Sequence, residues 1–336
     1  MKLATFLGLA LLAALTTAAP TSDDDVVTVT SEFFPDELAV YTSQHQIVAL
    51  TVPLNSVNFD EDENPSDNDS DIIVFFVEAD VNDMGEKEYK GLYSLKGGKA
   101  EKVLETGTDA AADNTDSDKV FLSATDGLYV YSGKTKKAEK YGSISDNLIS
   151  VVKLNYTDEL LVLTANHEVY KVTDNGEKKV KIDEIKDAQQ IVLDFSDNVY
   201  FYGPDKQPYV LGDDGVKKIE GLPANPTSVA LIKPAFVIED GVVFMSDDKA
   251  YIIYANGTSE FGEFVFQAKP SAYAMEATLI QYYAYNGKIY EYNILAIIIG
   301  SALDELKKFL EDKTEDIQSI ATRSRGVLKA SSLMTL

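Results

Sequence analysis

A tyrosine recurs along most of this chain at intervals of about forty residues, and this repeat limits the possible folds more than any other feature of the sequence. Successive members are separated by 36, 41, 39, 42 and 39 residues. The six positions are Tyr93, Tyr129, Tyr170, Tyr209, Tyr251 and Tyr290. Such a period is typical of one four-stranded blade of a β-propeller, so the repeat predicts six blades.

The segment from Ala188 to Leu222 shows the repeat most clearly. It contains four short runs of apolar, β-branched and aromatic residues, separated by Ser-Asp-Asn, Gly-Pro-Asp and Asp-Asp-Gly. Runs this short favour strands over helices, and the polar triplets carry residues typical of tight turns. We therefore predict an all-β fold in which each repeat forms four antiparallel strands. Closing the blades into a ring removes the sheet edges that an open solenoid would expose.

The start of the chain differs from the repeats. It combines a lysine at position 2, an apolar run from Leu3 to Leu15 and small residues up to Ala19. This order is typical of a secretory signal peptide, because the apolar run is too short to cross a bilayer. We therefore predict a signal peptide at residues 1–19, a propeller domain at residues 20–295 and a secreted, extracellular protein.

The repeat pattern ends before residues 296–336. This segment contains a capping-box-like start at Ser301-Ala302-Leu303-Asp304. The apolar residues that then share one helical face are Leu303, Leu306, Leu310, Ile317 and Ile320. We predict a C-terminal amphipathic helix that packs back on the propeller, followed by a tail. A lid over the channel and self-association through the helix are the alternatives.

A ring of blades can close when a strand from one terminus completes the blade that the other terminus builds. The apolar run Gln46–Val52 is the segment that we predict for this role. Blade one then runs from Ser56 to Thr106, and Ala110–Asp118 takes the place of the innermost strand of blade two.

Two further features of the sequence matter for a protein exported to an oxidising compartment. The sequence has no cysteine, so it has no disulfide framework, thiolate metal site or cysteine nucleophile. Three acceptor sequons, at Asn68, Asn155 and Asn256, fall in predicted loops or turns and are predicted glycosylation sites.

The chain is strongly acidic, with 30 Lys+Arg against 55 Asp+Glu and a net charge of −25. Such a field repels nucleic acid and anionic membranes, and we predict neither as a partner. Acidic residues are concentrated in two segments, 60–71 and 109–118, whose carboxylate and amide oxygens are ligands that calcium prefers. Because residues 60–71 lack the glycine and terminal glutamate of an EF-hand loop, a solvated loop is the favoured interpretation. Calcium stays open as the one cofactor considered, and no metal ligand is assigned.

Catalytic motifs are lacking. There is no Gly-x-Ser-x-Gly and no glycine-rich phosphate loop, and the only histidines are His45 and His167. We therefore predict no catalytic residue and a protein that is more readily a binder than an enzyme. A calcium-dependent lactonase or esterase-like hydrolase is one alternative, because Asp113, Asn147 and Asn225 stand near predicted inner-strand starts.

A binding site requires less than a catalytic site does. The starts of the inner strands should line the mouth of the central channel, together with loops on the same face. The residues that we predict to bind a ligand there are Asn147, His167, Gln189, Tyr202, Asn225 and Tyr273. Amides combined with aromatic rings suit a small, planar organic ligand, which they hold by stacking and by a few hydrogen bonds.

The segment from Thr125 to Gly142, TDGLYVYSGKTKKAEKYG, resembles the repeat of the secreted ommochrome-binding proteins of moths. Shorter echoes occur at Lys288–Tyr292 and Glu168–Val172. The resemblance implies an insect carrier for a tryptophan-derived pigment, without catalysis, and it assigns no binding residue. An extracellular structural or interaction protein, which would use the acidic loops and the helix for contacts, is the other alternative.

Overall fold

The computed structural model describes residues 26–53, 72–83, 85–112, 119–133, 135–155, 157–233, 241–275 and 280–293. The predicted signal peptide, the C-terminal helix and the acidic segment 60–71 lie outside the described residues, as do Asn68 and Asp113. The strands belong to one compact unit, Met1–Tyr292. This unit includes every strand residue except Asn293, the last residue of the final strand.

The described strands follow one another in chain order. The N-terminal strands are β1 (Val27–Val29) and β2 (Ala39–Thr42). Blade one comprises β3 (Gln46–Thr51), β4 (Val74–Val81), β5 (Lys87–Lys96) and β6 (Lys99–Leu104). Blade two comprises β7 (Gly107–Ala112), β8 (Lys119–Ala124), β9 (Gly127–Ser132) and β10 (Lys137–Lys140). Blade three comprises β11 (Leu148–Lys153), β12 (Leu160–Thr164), β13 (Val169–Thr173) and β14 (Lys178–Lys181).

The remaining blades repeat this order. Blade four comprises β15 (Gln190–Leu193), β16 (Val199–Tyr202), β17 (Pro208–Gly212) and β18 (Gly215–Lys218). Blade five comprises β19 (Val229–Ile232), β20 (Gly241–Ser246), β21 (Lys249–Tyr254) and β22 (Ser259–Phe266). Blade six comprises β23 (Ala272–Met275), β24 (Ile280–Tyr285), β25 (Lys288–Asn293) and the N-terminal β2. Short 3-10 turns cover Ser31–Phe33, Asp36–Leu38 and Asp174–Gly176.

Six antiparallel blades of this kind confirm the predicted all-β, six-bladed propeller. The tyrosine repeat marks the third strand of every blade, as predicted, because its six members lie on β5, β9, β13, β17, β21 and β25. The first strand of each blade is the innermost, and residues from all six of these strands line one central channel.

Ring closure uses a different N-terminal strand from the one predicted. The outermost strand of blade six is β2, which pairs antiparallel with β25 through Ala39–Tyr290 and Thr42–Lys288. The prediction that Gln46–Val52 closes the ring is wrong, since this run forms β3, the innermost strand of blade one. Burial explains the difference: Ile47 on β3 is completely buried, whereas β2 is partly exposed along its whole length, as an outer strand must be.

Aromatic side chains hold the closing strand in place. Phe33 stacks on Tyr292 with ring centroids 5.0 Å apart, and Phe34 stacks on Tyr285 at 4.3 Å. The hydroxyl of Tyr292 also donates a hydrogen bond to the carbonyl oxygen of Phe33. The N-terminal segment is therefore fixed by buried aromatic surface as well as by strand pairing.

The first described strand adds to a different blade. β1 pairs in parallel with β22, through Val27–Phe264 and Val29–Phe266, and makes blade five a five-stranded sheet. The carbonyl oxygen of Val29 accepts hydrogen bonds from two backbone N–H groups just after β22. The N-terminal segment thus contacts blade five through β1 and blade six through β2.

The boundaries of blades one and two also need correction. Blade one begins at Gln46 and not at Ser56, and the inner strand of blade two begins at Gly107 and not at Ala110. Space explains the second difference: a Cβ on Gly107 would lie only 2.4 Å from Cβ of Leu92, so the close approach of β7 to blade one requires glycine.

Polar side chains join the inner strands of adjacent blades. Thr51 Oγ1 donates to the carbonyl oxygen of Ala110 at 2.7 Å, and Thr108 Oγ1 donates to that of Leu148 at 2.9 Å. The side-chain amide of Gln190 both donates to and accepts from the backbone of Leu231, at 2.7 and 2.8 Å. These hydrogen bonds fix the channel wall. Farther out, apolar clusters fill the space between neighbouring blades.

Candidate functional site

The central channel is the candidate functional site. It encloses about 1040 Å³, which is enough for a small organic molecule and its hydration water. The inner strands begin at one end of the channel, which we call the top face. The connections between the second and third strands of each blade lie at the same end, because the strands are antiparallel.

Four of the six predicted ligand-binding residues line the channel: His167, Gln189, Tyr202 and Tyr273. His167 lies in the connection between β12 and β13, as predicted, and Gln189 directly precedes β15. Asn147 and Asn225 are not among the lining residues. Both are exposed; Asn147 directly precedes β11, and Asn225 stands four residues before β19, too early in the chain to reach the wall.

His167 is held in a defined orientation. Its backbone is in the left-handed region, with φ of 63°, and its ring Nδ1 lies 2.9 Å from the carbonyl oxygen of Ala188. A carbonyl oxygen can only accept, so Nδ1 carries the proton of this hydrogen bond. When the ring is neutral, Nε2 is left as a hydrogen-bond acceptor for a ligand.

Three half-buried tyrosines line the channel: Tyr89, Tyr202 and Tyr273. Burial raises the pKa of all three hydroxyls, and for Tyr89 burial and the nearby charge of Asp109 raise the pKa to about 12. These hydroxyls are therefore neutral hydrogen-bond donors near neutral pH. Each ring can also present an apolar face to a ligand.

The channel tyrosines differ from those of the blade repeat in their hydrogen bonds. On β9, β13 and β17 the tyrosine hydroxyl donates to a carboxylate of the same blade at 2.7 to 2.8 Å. By contrast, the hydroxyls of Tyr89 and Tyr202 bond to none of the described residues. Their donors are left for water or a ligand.

Sequence reasoning did not find a charged group inside the channel. Asp109, on β7, accepts hydrogen bonds from Ser150 Oγ at 2.6 Å, from its neighbour Ala110 N at 2.9 Å and from Val151 N at 3.3 Å. Burial raises the pKa of the Asp109 carboxyl, and these hydrogen bonds and the positive charge of Lys87 oppose that shift. The sequence pattern places Asp109 only in an acidic segment, whereas the structure makes it part of the channel wall.

Two lysines interact electrostatically with Asp109. Lys87 begins β5, just after the β4–β5 connection, and Lys233 directly follows β19. Both lysines are exposed, yet desolvation by the surrounding channel wall lowers the pKa of each ammonium group, and the charge of Asp109 opposes that shift. Gly85, Glu86 and Tyr89 line the channel beside Lys87, so the β4–β5 hairpin contributes to the site. β4 and β5, with 8 and 10 residues, are longer than the second and third strands of the other blades, and this length is a feature of the structure that no sequence motif marks.

The described residues contain no group of three His, Asp or Glu side chains placed to hold a metal ion. His45, the other histidine, pairs with Asp80 at 2.7 Å, beside Lys90 at 2.9 Å. Lys90 and His45 hold the pKa of Asp80 below its usual value. Of the residues considered for a lactonase, Asn147 and Asn225 do not line the channel wall. Within the described part of the chain, no helix has the length and hydropathy needed to cross a bilayer.

The class that these observations define is a six-bladed β-propeller with a tyrosine-lined central channel. No family model and no curated protein matches the chain. Among solved structures, it is similar to a candidate gluconolactonase, with a TM-score of 0.49, 10% identity, and coverage of 75% of this chain and 90% of that one.

Two other solved structures are each similar over 75% of the chain. PorZ of the type-IX secretion system of Porphyromonas gingivalis gives a TM-score of 0.45 at 11% identity, and the chain spans 37% of its length. The extracellular domain of a two-component system from B. thetaiotaomicron gives 0.48 at 10% identity, and the chain spans 40% of its length.

Proposed function

We propose that this protein is a secreted, non-catalytic carrier that binds a small aromatic ligand in the channel at the top face. The observation that carries the proposal is the pair of channel tyrosines, Tyr89 and Tyr202, whose hydroxyls have no partner among the described residues. Together with Tyr273 and His167, they offer aromatic surface, hydrogen-bond donors and one acceptor around a single cavity. A planar ring system with polar substituents matches this combination.

The contacts of the two histidines favour binding over hydrolysis. A histidine that acts as a general base needs a nucleophile or water within hydrogen-bond reach and a group that orients its ring. Nδ1 of His167 bonds to a main-chain carbonyl, and Nδ1 of His45 bonds to a half-exposed aspartate outside the channel lining. Neither contact includes a serine or threonine hydroxyl.

For the class of ligand, we propose a tryptophan-derived pigment of the ommochrome type, and an insect as the source. The support is the resemblance of residues 125–142 to the repeat of ommochrome-binding proteins of moths. In this proposal the signal peptide at residues 1–19 directs the chain into the secretory pathway, where a glycan is attached. The secreted propeller then holds the pigment in the extracellular fluid.

Binding to the full chain, purified from the medium of insect cells, tests the proposal. Equilibrium dialysis against an ommochrome should give a bound pigment with a visible absorption band and about one pigment per chain. Tyr202→Ala should weaken binding roughly tenfold through loss of ring contact. The matched control is Tyr170→Ala, because Tyr170 is equally half-buried but lies off the channel. Absence of retained pigment, or equal effects of both variants, would contradict the proposal.

A further inference from the structure

The channel has a charge pattern that differs from that of the whole chain. The charged residues that line it among the described ones are Glu86, Asp109, Asp194, Asp247, Lys87, Lys153, Lys233 and Lys269. The lining thus contains as many lysines as carboxylates, in a chain whose net charge is −25.

The carboxylates of the channel are all engaged in hydrogen bonds. Glu86 accepts from Asn82 Nδ2 at 2.7 Å, and Asp109 from Ser150 Oγ at 2.6 Å. Asp194 accepts from a tyrosine hydroxyl and an asparagine amide, and Asp247 from a threonine hydroxyl and two backbone N–H groups. Their negative charges are therefore stabilised by the protein itself.

The lysines of the channel are not all engaged. Lys153 donates to the carbonyl oxygen of Leu154 at 2.8 Å, and Lys269 lies 3.4 Å from Ser228 Oγ. Lys87 and Lys233 have no hydrogen bond or ion pair with any described residue, although both are close enough to Asp109 for their charges to interact. Lys87 and Lys233 are consequently the ammonium groups of the described lining that are left for a ligand, although the formal charges of the lining sum to zero.

Lys87 and Lys233 line the channel and remain exposed, so an anionic group that enters the channel can reach both ammonium groups. Such an anion would supply each lysine with a counter-charge and a charge-assisted hydrogen bond. It would also lie near Tyr89, since Tyr89 lines the channel beside Lys87 and interacts with the same carboxylate, Asp109.

We propose that the channel is selective for aromatic anions, with Lys87 and Lys233 binding a carboxylate or similar anionic group and Tyr89 contacting the ring. This inference rests on the proposed function and specifies the charge of its ligand. Asp109 opposes the anion and limits its affinity. Selectivity therefore comes from two lysines and one aspartate on blades one, two and five, which only closure of the ring brings together.

Two probes of matched shape test the inference on the full chain. They are 2-naphthoate and its neutral analogue 2-naphthamide, whose binding is measured by titration calorimetry at neutral pH. Naphthoate should bind at least tenfold more tightly than naphthamide, because a hydrogen bond to a charged group contributes the equivalent of roughly ten- to hundredfold in affinity. Added salt should weaken only the naphthoate complex.

Variants give effects of opposite sign, which a folding defect cannot imitate. Lys87→Gln and Lys233→Gln should each weaken naphthoate binding about tenfold and leave naphthamide binding unchanged. Asp109→Asn should tighten naphthoate binding. Lys217→Gln, which makes the same charge change on an exposed strand outside the channel lining, should have no effect.

The outcomes separate this inference from the proposed function. Equal binding of both probes, or a Lys87→Gln protein that binds naphthoate as the Lys217→Gln protein does, would overturn the selectivity for anions and leave an aromatic carrier. Weaker naphthoate binding by Asp109→Asn would also overturn it. Failure of the unmodified protein to bind either probe would count against both.

Discussion

Phe34 offers the sharpest test of how the ring is closed. Its side chain is only 6% exposed, and its ring is stacked at 4.3 Å on Tyr285, with Tyr290 at 5.3 Å and Tyr283 at 6.3 Å. Replacing it with alanine removes this buried aromatic surface and leaves a cavity between the N-terminal segment and blade six. If this contact closes the ring, the whole propeller should lose stability.

The expected loss for Phe34→Ala is about 3 to 5 kcal/mol in the free energy of unfolding, as for other buried phenylalanines. This is a large part of the roughly 5 to 15 kcal/mol that stabilises an ordinary folded protein. Phe34→Leu keeps most of the apolar contact and loses the ring stacking, so its cost should be about 1 to 2 kcal/mol.

Urea unfolding followed by far-ultraviolet circular dichroism gives the measurement, with Phe261→Ala as the control. Phe261 is also a strand phenylalanine, but it is 36% exposed and distant in the chain from the closing strand. Its replacement should cost about 1 kcal/mol or less. If Phe34→Ala costs no more than Phe261→Ala, the N-terminal segment does not hold the ring closed and the reasoning is refuted.

Three further predictions concern backbone contacts, glycosylation and pH. Gly142→Ala should cost at least about 3 kcal/mol more in unfolding free energy than Gly215→Ala. Both glycines have positive φ, but a Cβ at Gly142 would lie 2.1 Å from a backbone carbon of the next blade, whereas Gly215 has open space. Equal costs in urea unfolding would contradict the contact at Gly142. Mass spectrometry of the secreted protein should find a glycan on Asn256, which is exposed, and none on Asn155, whose Nδ2 donates to an aspartate carboxylate at 2.8 Å; a glycan on Asn155 would contradict that geometry. Hydrogen bonds from the Thr227 hydroxyl and the Ser228 backbone N–H lower the pKa of Asp247 below its usual value of 3.8, so the stability that they contribute is complete above the unfolded pKa and is lost as pH falls through the folded pKa. Acid unfolding of Asp247→Asn should therefore depend less steeply on pH below about 4 than acid unfolding of the unmodified protein. Identical curves would show that these bonds do not favour the ionised carboxyl.

The number of blades could be predicted from sequence because it depends on local patterns. Short strands, turn triplets and a tyrosine on the third strand recur within each blade, so every repeat carries its own evidence. Ring closure was harder to predict. β2 and β3 are both short apolar runs, and the more apolar of the two, Gln46–Thr51, is needed inside blade one and not at the outer edge of blade six.

The candidate site could be predicted only in part, for a related reason. His167, Gln189, Tyr202 and Tyr273 were identified because the repeat indicates which residues begin an inner strand or lie near a top-face loop. Lys87, Asp109 and Lys233 are unremarkable in the sequence, since each is one charged residue among many. Their significance depends on which charges meet across the channel, and no single repeat contains that information.

The closing strand also determines when the protein can finish folding. β2 is synthesised before any blade, and its partner β25 belongs to the last. At ordinary rates of translation, the interval between them is on the order of ten to fifty seconds. Throughout that time Phe33 and Phe34 lack the tyrosines that later cover them, so the growing chain presents an apolar site that chaperones can bind until the sixth blade emerges.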